Sequence, residues 1–164
     1  MPRPMPITTD VTETFSITEL RTFRRLDGRI YAIVGHNRDH GLITDIWLGG
    51  FESMANFRAV IDFVCERIET DGYGLWLADL RHLAESFAEA EAYLAEEIVP
   101  RIIAAGLQRE AVVTPSLEYN IPEGYDVYGA ASAALRRIAD GRIRGFTDIE
   151  AARAWLLDSR LPAA

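Results

Sequence analysis

The spacing of apolar positions changes several times along the chain, and each change predicts an element. Residues 29–35 (Arg-Ile-Tyr-Ala-Ile-Val-Gly) carry the β-branched and aromatic side chains of a strand. Residues 42–48 follow across a polar loop at 36–41 and are expected to be its antiparallel partner. A shorter strand is expected at 21–26, ended by the turn pair Asp27-Gly28. Met54, Phe57, Ile61, Val64 and Ile68 then recur at steps of three and four, one apolar stripe of a helix. Gly72 is suited to its left-handed cap.

The chain is organised around what comes next. Leu75, Trp76, Leu77 and Ala78 form an unbroken apolar run between Gly74 and Asp79, the pattern of a central strand buried on both faces. Ser86-Phe87-Ala88-Glu89 reads as a capping box opening a helix that runs to Ala105, with a kink expected near Pro100 and Gly106 as its end. Residues 110–114 give a second buried strand stopped by Pro115. A helix is expected at 126–139, a short strand at 142–146, and a last helix opened by a capping box from Thr147 to Glu150. A β-hairpin followed by alternating helices and strands predicts an α/β fold with a mixed sheet of about four or five strands and about four helices. Residues 1–15, with three prolines and a run of Thr, Asp and Glu, are read as a flexible tail, and 16–164 as one domain.

Composition narrows the function classes. A hydrophobic share of 49% with 26% charged residues is globular, and no apolar run approaches a membrane span. The net charge of −8 argues against nucleic acid and anionic membranes as partners. All the basic residues are arginine, which reads as compositional bias. The first residues lack the apolar core of a secretory signal, so the expected location is cytoplasmic. Cys65 falls inside the predicted helix and reads as a small buried hydrophobe.

The polar residues that remain are few. Asp79, Arg81 and His82 stand where the central strand is expected to deliver its carboxyl end, the edge at which open α/β sheets place ligands. Thr114 and Ser116 take the same edge of the next strand, and Thr147 that of the last. Tyr119, Tyr125 and Tyr128 either form an aromatic lip to a site there or anchor a loop to the sheet. The alternative for Asp79 and Arg81 is structural: an aspartate capping the next turn and an arginine pairing with a neighbour. His36, Asp39 and His40 share a loop without the spacing of metal ligands. No nucleotide-binding glycine loop is present, and neither a cofactor, a metal nor a catalytic residue is assigned.

The segment from Trp47-Leu48-Gly49-Gly50-Phe51 through a helix to Leu77-Ala78-Asp79-Leu80-Arg81 resembles the STAS-like superfamily. So do Ile98-Val99-Pro100-Arg101, Gly106-Leu107-Gln108-Arg109 and the final Trp155-Leu156. That superfamily includes bacterial anti-sigma-factor antagonists and the cytoplasmic tails of sulfate transporters, and the chain is more similar to its small stand-alone bacterial members. The resemblance implies a non-enzymatic interaction or sensing module. Antagonists carry a phosphorylatable serine directly after the central-strand aspartate. Leu80 stands there, so a phosphoswitch is not implied.

Two functional readings follow. The first is a protein-interaction or sensing module working through residues 79–86. The second is a small-molecule-binding protein or minor enzyme with a pocket bounded by Asp79, Arg81, Thr114 and Tyr125. An apolar sheet edge, expected at 29–35, adds a homodimer to both.

Overall fold

Met54, Phe57, Ile61, Val64 and Ile68 do lie along one helix in the computed structural model, which describes residues 6–84, 90–114 and 141–158. This helix, α2 (Met54–Asp71), starts at Ser53, whose side chain accepts the Asn56 N–H. It ends at Gly72 in the left-handed region (φ 75°), where a side chain would be strained.

Before it come β1 (Thr18–Arg24), β2 (Ile30–Asn37) and β3 (Leu42–Gly49), paired antiparallel in that order. After it come β4 (Leu75–Leu83), β5 (Arg109–Val113) and β6 (Ile143–Phe146), parallel to one another and to β3. The result is an α/β fold with one mixed sheet of six strands in sequence order, one or two strands more than expected. The additional pairing is the full hairpin β1–β2, which begins at Thr18. It also moves the edge: β1 is the free edge, and β2, expected there, is interior. Gly35 lets the two strands close up, since a Cβ there would stand 2.8 Å from the Thr18 carbonyl oxygen.

Alternation along the strands gives the sheet two covered faces. Trp76, Ala78 and Val112 face α2 and the helix that follows β4. That helix, α3, has three parts: Glu91–Tyr93, a π turn over Leu94–Ile98, and Val99–Ala104. The kink expected from Pro100 takes the form of this π turn. Val99 donates to the Leu94 carbonyl five residues back, and Pro100 follows with no N–H to offer. Arg101 ties α3 to α2 through paired 2.8 Å bonds to both carboxylate oxygens of Glu69. Cys65 lies in this core, and burial pushes its thiol up to about 12, so it remains a thiol at neutral pH.

Leu75, Leu77, Ala111 and Val113 face the other way, onto α4 (Ile149–Leu156) and an N-terminal helix, α1 (Pro6–Phe15). The tail expected over residues 1–15 is therefore corrected from Pro6 onward. Val11 and Phe15, one helical turn apart, are both buried against the sheet, and this apolar pair outweighs the prolines before it. Asp148, not Thr147, caps α4, accepting the Ala151 N–H at 2.9 Å. The expected helix at 126–139, the capping box at Ser86 and the residues Ser116, Tyr119, Tyr125 and Tyr128 lie outside the described residues. Among the described residues, no helix is long and apolar enough to cross a membrane.

Candidate functional site

Asp79 and Arg81 are together, but not at a strand end. Buried apolar positions of β4 continue between and beyond them, at Leu80 and Leu83. Strand β4 carries one residue more than β3 between its pairings Ile46–Asp79 and Leu48–His82, a bulge over Leu80 and Arg81. Asp79 is wholly buried, and Arg81 grips it with Nε to Oδ1 at 2.9 Å and Nη2 to Oδ2 at 3.0 Å. The third arm, Nη1, reaches Asp10 of α1 at 2.7 Å. The hydrogen bonds to Asp79, with its charge and that of Asp10, raise the Arg81 pKa further, so the guanidinium stays charged.

This trio neutralises a buried carboxylate and fastens α1 to the sheet. All three guanidinium nitrogens are occupied, so the structural alternative for Asp79 and Arg81 fits better than a docking surface. His82 is half-buried beside them, and burial lowers its pKa. Thr114 sits elsewhere: its Oγ1 donates to the Phe146 carbonyl at 3.4 Å. With Thr147 and Asp148 it lines an open recess of about 370 Å³ at the carboxyl ends of β5 and β6, which neither Asp79 nor Arg81 enters. His36 and His40 are not brought together as ligands. The His36 ring is hydrogen-bonded to the Tyr73 hydroxyl, and no group of three metal-ligating side chains occurs among the described residues.

The sheet's opposite face holds a group that the sequence reading passed over. Asp45 on β3 is 1% exposed, and both its oxygens accept indole N–H bonds. Trp47 Nε1 donates to Oδ2 at 2.7 Å and Trp76 Nε1 to Oδ1 at 2.6 Å. Glu110 on β5 pairs in register with Trp76, which places the second carboxyl on the same face one strand further along. These four residues line a cavity of about 20 Å³ with Phe57 and Leu94 among its apolar walls, room for about one water molecule. The Leu94 wall is the first residue of the π turn.

Burial acts on the ionisation of both carboxyls. Burial pushes Asp45 up to about 6, although the two indole donors favour its charged form. Burial also raises Glu110 well above the ordinary carboxyl range, and the nearby Asp45 raises it further. Glu110 is 8% exposed, and its carboxyl makes no hydrogen bond or ion pair to any described residue. Where Asp79 has Arg81, neither Asp45 nor Glu110 has a cation among the described residues. The sequence held one signal for this site: an aspartate and a glutamate inside strands on either side of the central one, with tryptophans beside them.

No family model, no curated protein and no solved structure matches this chain.

Proposed function

We propose that the protein is a non-enzymatic small-molecule-binding or sensing module, of STAS-like type and cytoplasmic in a bacterium, whose working site is the pocket of Asp45, Glu110, Trp47 and Trp76. The observation that carries this is the Glu110 carboxyl, which lines a cavity without a hydrogen bond to any described residue, beside a second carboxyl held rigidly by two indoles. A buried carboxyl without a partner destabilises a fold, and such groups gather where a ligand or reaction repays them. Both Asp45 oxygens are already committed, which makes Asp45 a fixed wall and Glu110 the group that meets the ligand.

Mass spectrometry of small molecules released from natively purified protein tests the reading. Ala78 lines the cavity, and Ala78→Val would fill it. A compound released from the wild type and missing from a folded Ala78→Val variant is the expected result. The same compound from both proteins places its site elsewhere.

One observation favours an interaction module as a second reading. The free edge strand β1 exposes Leu20, and Leu26 at the adjoining hairpin tip is fully exposed. An unpaired strand edge with apolar side chains is a template for another chain, here a second copy. Light scattering at tens of micromolar is expected to give a dimer mass, and a monomer throughout would remove this reading.

A further inference from the structure

We infer that the pocket takes the head group of a small primary alkylammonium ligand, with Glu110 and Asp45 as its counter-charges and aromatic rings beside it. This rests on the pocket reading above and names its ligand class. The argument is one of unbalanced charge. The fold supplies Arg81 to Asp79 by a fork of two bonds, yet brings no cation to Asp45 or Glu110 among the described residues. A proton or a bound cation would supply the neutralising charge.

Size and wall chemistry select among cations. The cavity of about 20 Å³ admits a group the size of a water molecule, which is the size of an ammonium head. A hard divalent ion asks for about six or more oxygen ligands. Two carboxyls, one of them bonded through both oxygens to indoles, fall short of that. Trp47, Trp76 and Phe57 suit the cation–π attraction of an organic ammonium. An anionic ligand would meet two carboxyls and, among the described residues lining the cavity, no positive group.

The groups facing the two carboxyls are few. Asp79 of β4 adds negative charge at Asp45. Cys65 of α2 is near Glu110 and stays a neutral thiol, and Arg101 of α3 acts at Cys65 from the surface, where it is paired with Glu69. Protons therefore compete with the ligand for Asp45 and Glu110, and binding weakens as the pH falls.

The test uses the full chain carrying Trp155→Phe. Trp155 packs on Phe146, so its removal leaves the two pocket indoles to report. Methylammonium chloride is titrated at constant ionic strength. The expected result is a saturable change in indole emission at pH 8, at least tenfold weaker at pH 5 and at least tenfold weaker in Glu110→Gln. Tetramethylammonium, too bulky for the cavity, is expected to give no saturable change. Equal responses to the two ions, or unaltered methylammonium affinity in Glu110→Gln, overturn the proposal. Acetamide, neutral and small, separates the two levels of the argument. Saturation by acetamide without saturation by methylammonium overturns the ammonium class and leaves a small-molecule pocket standing. Silence from both, together with no compound lost in Ala78→Val, removes the pocket reading as well.

Discussion

Replacing Arg81 with alanine is expected to destabilise the protein by about 3–5 kcal/mol, the usual cost of stranding one member of a buried ion pair. Asp79 has no exposure to water, and Arg81 supplies two of its hydrogen bonds and its counter-charge. The same substitution releases Asp10, and with it the tie between α1 and the sheet. A surface arginine would give a change within about half a kcal/mol, so the two roles are far apart. Urea unfolding measures the difference, and a second variant identifies its cause. Adding Asp79→Asn to Arg81→Ala removes the stranded charge and is expected to recover a large part of the loss. A single variant of wild-type midpoint, or a double variant no better than the single, would sink the structural role of this pair.

Where the end of this strand was expected shows which parts of the chain are legible. Helix α2 and strands β2 to β5 follow from local period alone, because each puts one apolar stripe or run against a core. The segment Asp79-Leu80-Arg81-His82-Leu83 contains three polar residues among two apolar ones, so the strand reads as finished at Ala78. What keeps it in the sheet is tertiary: the bulge against β3, and a carboxylate of α1, Asp10, lying 71 residues before Arg81. The helix α1 was hidden in the same way, since its stripe of Val11 and Phe15 is short and its docking surface is formed by strands much later in the chain.

The pocket was hidden for a different reason. Asp45 and Glu110 lie inside segments correctly expected to be strands, and a polar residue in such a run is normally taken to face solvent. Whether it faces water depends on what covers that side of the sheet. Here α2 and α3 cover it, since successive parallel strands laid down in one direction, with crossovers of one hand, place their helices on the same face. Register then does the rest, setting Trp76 beside Glu110 and opposite Ile43, two residues from Asp45.

Loss of the Asp45 carboxyl is expected to have a cost that depends on pH. In Asp45→Ala two indole N–H groups, Trp47 and Trp76, lose their acceptor in a dry core, at about 1–3 kcal/mol each. Against this stands the burial of the carboxyl itself. Its pKa rises from 3.8 to about 6 on folding, a difference of about 2.2 units at 1.36 kcal/mol per unit, or about 3 kcal/mol. For a raised carboxyl the stabilising contribution is complete below the unfolded value and is lost as pH rises through the folded one. At pH 4 and below, the wild type therefore keeps nearly all of its advantage over Asp45→Ala, about 2–6 kcal/mol. Above pH 7 the ionised carboxylate offsets about 3 kcal/mol of that advantage, and the two proteins come close together. Urea midpoints of both proteins at pH 4 and pH 8 give this difference, with groups remote from Asp45 cancelling between them and Glu110, whose pKa Asp45 raises, adding to it in the same direction. A penalty of equal size at both values would mean that Asp45 is as easily ionised in the folded chain as in the unfolded one. The pocket would then lack the charge strain on which its ligand chemistry depends.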